Sequence, residues 1–307
     1  MIFHYLKIAF RNLCKYKTQN VISIIGLAVG LLCFCVCIYC SRFVENTDHC
    51  FANHDRIAEL NLYDSKADRY FSGSPVPLAE ELRTWALGET EAISSVTYPR
   101  ERPYYVELSP EKTLPYELET IEIDTCYNKI FTPEMVAGHW KMASQSLNSV
   151  ILSQSMAIKI FGNAESAIGK HMTLMRRLNT SPESTPKTGG IVYTIQAVMK
   201  DIPLNNSLDF MQNIDMLTVN DSEGLLQSPK RHNMTGANTY VLLSPQTTCT
   251  DLEKQFSKRD YTYTLYGEAY TVTASSMGAR LKKQGASYLG LVTGIIGTLI
   301  SVSYTHL

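Results

Sequence analysis

The sequence predicts an α+β extracytoplasmic domain held between two transmembrane α-helices, and so an integral membrane protein. Three observations predict it. Residues 21–41 carry no charge. Residues 286–304 carry none either. The long stretch between them mixes short β-rich runs with capped helical segments and turn residues, which is the pattern of a folded domain with its own core.

The first apolar run, VISIIGLAVGLLCFCVCIYCS, would span roughly 31 Å as a helix, close to the ~30 Å hydrocarbon core of a bilayer. A helix apolar on every face is one that is buried in a large core or in lipid. The run exceeds the apolar stretch of a signal peptide, and no small-residue cleavage site follows it, so it reads as an uncleaved anchor. Lys7, Arg11, Lys15 and Lys17 precede it with no acidic residue among them, whereas Arg42, Glu45 and Asp48 follow. That asymmetry puts the N-terminal side in the cytoplasm and the chain after Arg42 outside. Within residues 1–20, Ile2, Leu6, Ala9, Phe10 and Leu13 recur at helical spacing, with Lys7 and Arg11 elsewhere on the wheel. The spacing favours a basic amphipathic helix on the inner leaflet over a disordered tail, its cations facing anionic lipid.

Residues 43–275 form the expected outer domain, with room for two subdomains, and residues 276–285 a stalk. Arg56–Tyr63 reads as a strand. Ser74 is expected to cap a helix that runs through LAEELRTWAL to Gly88, with Pro75 and Pro77 near its start. Strands follow at Ile93–Tyr98, Tyr104–Leu108 and Glu117–Cys126, then a short one at Val150–Leu152. Ser153 caps a helix that Gly162 closes. Lys170–Arg176 and Ile191–Met199 are strands, separated by a loop or hairpin tip rich in Ser, Thr, Pro and Gly over Asn179–Gly190. Tyr240–Leu243 is a strand, Thr248 opens a helix containing Leu252 and Phe256, and Tyr261–Ala274 is extended. The second span, 286–304, carries Gly290-x-x-x-Gly294, a spacing that lets helices approach closely in lipid. Arg280, Lys282 and Lys283 precede it on the side assigned as external, against the charge rule, though charges on long translocated domains weigh little. The final residues SVSYTHL suggest a C-terminally truncated product.

The search for chemistry leaves no catalytic, cofactor or metal set. Gly162–Lys170 fails the phosphate-loop spacing, with Ala164 and His171 in the wrong places. Cys33, Cys35 and Cys37 sit two apart on a helix, about 200° around it, and cannot converge on one ion. Cys50, Cys126 and Cys249 are an odd number outside the spans, so no disulfide framework is expected. His49 and His54 are expected at the surface rather than as metal ligands, Glu117, Glu119 and Glu122 as a solvated strand face, and Tyr261, Tyr263 and Tyr266 as sheet cover. A net charge of −1 with no basic block in the middle region gives no case for nucleic acid.

Four segments together resemble a family. Lys7–Leu31, with Arg11-Asn12-Leu13 and then Ile25-Gly26-Leu27 and Gly30, is similar to the entry segment of MacB/FtsX-type ABC transporter permeases. FANHDRIAEL, with Asp55, Arg56 and Ile57, is similar to their post-membrane strand. ILSQSMAIKIFGNAESAIGKHMTL resembles their periplasmic core domain through Ser153, Ala157, Phe161, Gly162, Ile168, Gly169 and Lys170. The following strand and turn resemble it through Val198, Asp201, Pro203 and Ser207. The resemblance implies a noncatalytic permease subunit of the cell inner membrane. Such a subunit transmits ATP-driven movement from a cytoplasmic ABC ATPase to a periplasmic domain, for efflux or export of a peptide, drug or lipoprotein. Implied partners are the ATPase subunit, a second permease in a homo- or heterodimer, a periplasmic adaptor and an outer-membrane channel, besides membrane lipid. Spans three and four of the family pattern have no counterpart in this sequence. The alternatives are a two-span sensor with an external ligand-binding domain and a membrane-anchored external enzyme, the last supported by no nucleophile–base set.

Overall fold

The structure is a computed structural model that describes residues 15, 17–71, 73–109, 112–174, 190–209, 212–222, 224–227, 235–279 and 281–283. The expected second span, Arg280, and most of the Asn179–Gly190 loop lie outside them, as do Lys7, Arg11 and the rest of the expected amphipathic helix before Lys15. The chain divides into two compact units, one comprising residues 1–47 and 280–307 and the other Asp48–Ala279.

In the first unit, α1 (Lys17–Glu45) is one continuous 29-residue helix, about 43 Å long. Leu27, Leu32 and Phe34 are exposed all around it, 61–74% of each side chain open. Among the described residues it is the helix long and apolar enough to cross a membrane, by length and composition. It runs past Ser41 and carries Arg42 in its last turn.

The second unit is α+β. Its strands are β1 (Ile57–Asp64), β2 (Arg69–Tyr70), β3 (Ser74–Pro75), β4 (Thr90–Thr97), β5 (Arg100–Ser109) and β6 (Lys112–Ile123). Then come β7 (Met135–Gly138), β8 (Ser149–Ser153), β9 (His171–Leu174), β10 (Val192–Met199), β11 (Met216–Val219), β12 (Thr235–Leu243), β13 (Thr262–Leu265) and β14 (Glu268–Ser276). The helices are α2 (Leu78–Arg83), α3 (Tyr127–Phe131), α4 (Trp140–Gln145), α5 (Gln154–Phe161) and α6 (Cys249–Lys258).

Six strands close on themselves. β5 pairs with β6, β6 with β11, β11 with β8, β8 with β10, β10 with β9, and β9 with β5 again. The β6–β11 and β8–β10 pairs are parallel and the others antiparallel. One apolar cluster draws on all six: Tyr104 and Val106 from β5, Leu118 from β6, Val150 and Leu152 from β8, Met172 from β9, Tyr193, Ile195 and Val198 from β10, and Met216 from β11. The face shared by every strand of a closed ring is its inside. Met156, Ala157 and Ile160 of α5 pack onto the same core. α5 forms because Ser153 Oγ accepts the Met156 amide at its start and Gly162, at φ 86°, ends it in a left-handed conformation that a side chain disfavours.

β7 pairs antiparallel with β10 of the ring, and the other strands make an antiparallel sheet in the order β13–β14–β1–β12–β4, with β2 paired to β1 and β3 to β12. Leu60, Leu62, Ile93 and Val241 face α2 and α6, which contribute Leu78, Leu82, Leu252 and Phe256. α6 starts with a reciprocal cap: Thr248 Oγ1 accepts the Asp251 amide while the Asp251 carboxylate accepts the Thr248 amide. The opposite face, with Ile57, Val96, Tyr240 and Leu242, packs on Ile121, Ile151, Leu217 and Val219 from the outside of the ring and on α3. Ring and sheet touch edge to edge through a single residue pair, Val96 with Ile123. Asp124 reinforces that seam, accepting Ser94 Oγ at 2.7 Å, the Ser95 amide at 3.0 Å and Arg83 Nη2 at 2.6 Å.

Two expectations are corrected. Ser74 does not cap a helix; it lies in β3, fully buried, with its hydroxyl 2.8 Å from Thr239 Oγ1, and α2 begins after Pro77 and ends at Arg83 rather than near Gly88. Pairing with β12 outweighed the local capping signal. The Tyr261, Tyr263 and Tyr266 group also divides: Tyr263 is core, whereas Tyr266 occupies the β13–β14 turn at φ 54° and is 65% exposed. Because Leu152 is fully buried inside the ring, Leu152→Ala should lower stability by about 2–5 kcal/mol, read from denaturant unfolding of the detergent-solubilised chain.

Candidate functional site

The two ends of the second unit meet at a set of long-range contacts. Asp48, its first residue, is buried in a left-handed conformation (φ 70°). Its amide donates to Asn205 O at 3.0 Å, and its carboxylate accepts the Ser207 amide at 2.6 Å and the Ser207 hydroxyl at 2.5 Å. Gly278, at the other end of the unit and at φ 71°, lies against the same pair of groups. A β-carbon there would collide with Asp48 Oδ2 and sit 2.8 Å from Ser207 Oγ. Only glycine combines that backbone conformation with that approach.

Both ends then enter one core. The Phe51 ring stands edge-on to Phe131 with 5.0 Å between centroids, and Phe131 edge-on to Tyr240 with 5.2 Å. On the exit side, the Met277 amide donates to Ile57 O at 2.9 Å and the Met277 side chain is buried in the same cluster.

The loop that receives Asp48 is itself rigid. Asn206 is fully buried; its Nδ2 donates to Pro203 O at 2.7 Å, and its Oδ1 accepts the amides of Leu208 and Asp209 at 2.9 and 3.0 Å. At the loop's start Asp201 Oδ1 accepts the Ser155 amide at 3.0 Å, in the first turn of α5. Hydrogen bonds therefore tie residues 205–207 of this loop to the entry of the unit, and its start at Asp201 to the helix that packs on the ring core.

The residues singled out from the sequence gather along this path. Ser153 and Asp201 satisfy amides at the start of α5; Phe161 packs on the ring core and Gly162 closes the helix. The Gly169 amide donates to Ile195 O at 2.8 Å, and Lys170 O accepts the Ile195 amide at 2.9 Å. Pro203 supplies the carbonyl that Asn206 grips. All of them act through backbone geometry and capping, and their chemistry is that of a scaffold. Lys15 and Lys17 are exposed at the start of the first unit's helix. Asp48 and Gly278 were not marked by sequence reasoning, because their partners lie 159 residues away or at the far end of the unit.

Among the described residues no group of three or more His, Cys, Asp or Glu side chains is arranged to hold a metal. His49 and His54 do stack, with 4.4 Å between ring centroids, and His54 uses Phe51 O (3.1 Å) and Asp55 (3.2 Å) as partners. Burial, reinforced by Asp48, pushes the Cys50 thiol up to about 11, and burial also raises Cys126 and Cys249, so none is an activated nucleophile. The acidic strand face is corrected at one position: Glu122 is only 4% exposed, and its carboxylate accepts the amides of Leu225 at 2.7 Å and Leu226 at 2.8 Å.

No family model matches the chain, and no curated protein does. Among solved structures, a domain of a protein described as a permease from Porphyromonas gingivalis superposes with a TM-score of 0.54 at 20% identity, covering 74% of this chain and 93% of that one. The fold is that of a permease domain. The periplasmic region of MacB from Actinobacillus actinomycetemcomitans (TM-score 0.47, 13% identity, 75% of this chain and 92% of that one) was also found. So was the extracellular domain of the noncanonic ABC-type transporter YknZ from Gram-positive bacteria (TM-score 0.42, 12% identity, 71% and 99%).

Asp48→Ala takes the acceptor from the part-buried Ser207 amide and should destabilise by about 1–3 kcal/mol. Gly278→Ala should do comparable damage through collision with the same carboxylate, while Ser207→Ala, which keeps the amide contact, should cost less. Thermal or denaturant unfolding of the three variants checks the order.

Proposed function

We propose that this chain is a noncatalytic transmembrane permease subunit of the MacB/FtsX type. In this reading α1 anchors it in the cytoplasmic membrane, with Lys7, Arg11, Lys15 and Lys17 facing inner-leaflet lipid, and the Asp48–Ala279 unit stands outside. A cytoplasmic ABC ATPase drives it, and movement rather than bond-making passes to the outer unit, in the service of exporting a peptide, drug or lipoprotein. A second permease copy, a periplasmic adaptor and an outer-membrane channel are the partners this reading calls for.

The observation that carries the proposal is the clamp at Asp48. A domain whose two ends are fastened to each other and to a rigid loop moves as one body when either end is displaced. Packed interfaces of this kind switch between discrete arrangements rather than stretching. The fold shared with a permease domain supports the same reading, and so do a helix of membrane-spanning length and the scaffold roles of Ser153, Phe161, Gly162, Gly169, Lys170, Asp201 and Pro203.

Tyr266, 65% exposed in the Asp48–Ala279 unit, gives a direct test of compartment through Tyr266→Cys in a chain whose native cysteines are replaced by serine. A membrane-impermeant maleimide should label it in spheroplasts with an intact cytoplasmic membrane. Labelling that requires lysis would place the unit in the cytosol and remove the proposal.

The second test is partnership. The chain expressed from its native locus should co-purify with an ABC ATPase, and Asp48→Ala should leave that association intact while lowering export. Recovery of a histidine kinase in place of an ATPase would favour the sensor reading instead.

A further inference from the structure

Between Ile24 and Cys40 every residue of α1 is exposed except Gly30, Cys33, Cys37 and Cys40. Cys37 is 9% exposed, whereas Val36 and Ile38 beside it are half open. The four residues lie three and four apart in alternation, so they share one face of the helix. Thr47 falls on the same line. The Asn46 amide donates to Arg42 O at 3.0 Å and the Thr47 amide to Val44 O at 3.2 Å, which carries the helical turn past Glu45. Thr47 is fully buried, and its hydroxyl has no hydrogen-bond partner among the described residues.

This face is covered, and not by the second unit's cores, for Cys37 belongs to none of the four apolar clusters. Its own unit holds, besides residues 1–47, residues 280–307. Residues 286–304, outside the described residues, carry a matching line in their sequence. Ser287, Gly290, Gly294, Gly297 and Ser301 alternate at the same three- and four-residue spacings.

The clamp says how the two lines meet. Asp48 and Gly278 stand against each other there. On one side α1 runs back from it; on the other, residues 279 and 281–283 are helical. Equal steps along both helices bring Ser287 opposite Cys40, Gly290 opposite Cys37, Gly294 opposite Cys33 and Gly297 opposite Gly30, to within one position. Within that margin, the match of small residue to small residue selects this register.

We propose that residues 286–304 form the second helix of an antiparallel pair, seated on the Gly30–Cys33–Cys37–Cys40 line of α1 through Gly290, Gly294 and Gly297. The occupant is this chain's own segment and not a second copy, because the clamp holds the origins of both helices together in every molecule and keeps the effective concentration of that segment high. Small residues on both sides let the backbones approach, which is what holds helices together in lipid. The alternation averages about 3.5 residues, the repeat of a left-handed crossing of roughly +20°. Shielding stops at Gly26, which is exposed with open space where a β-carbon would stand, so the tight contact runs from Gly30 to Cys40. The inference needs both runs to be helices in one membrane and does not rest on the transport reading.

Disulfide trapping of the full chain in native membranes tests it. All other native cysteines are replaced by serine. Cys40 with Ser287→Cys, and separately Cys37 with Gly290→Cys, should close an intramolecular disulfide on oxidation with copper–phenanthroline, read as a faster band on a non-reducing gel that reduction reverses. Cys35 stands on the opposite face of α1 from Cys33 and Cys37, and as the sole native cysteine it should give no such band with Gly290→Cys. A covalent dimer through Cys37 or Cys40 without the intramolecular band would seat a second copy on this face and overturn the proposal. Equal trapping from Cys35, or no bond from either seam pair, overturns it as well. Ser287→Cys exchanges a single atom, so that arm stands even where a glycine variant does not fold.

Discussion

Four residues, Met216–Val219, hold the second unit closed. β11 pairs in parallel with β6 on one side and antiparallel with β8 on the other, and every one of its side chains is buried. Without it both neighbours would present a bare edge of amides and carbonyls, which water or another chain would claim. Its two faces serve two cores: Met216 points into the ring, while Leu217 and Val219 join the cluster shared with the sheet. Asp215 at its start prolongs the closure, because its carboxylate and amide both bond Glu119 of β6 and its carbonyl accepts the Ser153 amide. The helix cap at Ser153 and the inward aim of Glu122 are downstream of this one strand.

The same strand explains how a long chain can be held by few polar anchors. Once the ring is shut, residues 201–209 leave β10 from a fixed point, and Asn206 freezes the loop by spending both ends of its amide on neighbouring backbone. Asp48 then meets a preformed partner in Ser207 instead of ordering a floppy one, and little conformational entropy remains to be lost there. On the function proposed, this preorganisation is what lets displacement arrive at the ring undiminished.

Local signals in the sequence were legible where local physics decides. Ser153 and Gly162 bound α5, Thr248 opens α6, and the tyrosine–threonine run from residue 261 folds as the β13–β14 hairpin, all as their residue types dictate. What escaped was decided at a distance. β11 has only four residues and no alternation, so nothing in it distinguishes a strand from a loop until both neighbours are present. α3, α4 and β7 are four to six residues each and owe their form to the core they cover. Ser74 carried a good capping signal that tertiary pairing overrode. Glu122 sat in an acidic strand that reads as solvated, and its partners at 225 and 226 lie about a hundred positions on. The same separation hid Asp48 and Gly278.

β1 and β14 run side by side in opposite directions, so the second unit begins and ends on adjacent strands of one sheet. A module built this way behaves as an insertion cassette. Its ends need only a narrow gap in a host chain, and a host loop can gain, lose or exchange it without respacing the segments on either side. Sequence drift inside such a cassette is limited by its own ring and seam, which leaves its architecture readable long after pairwise identity has faded.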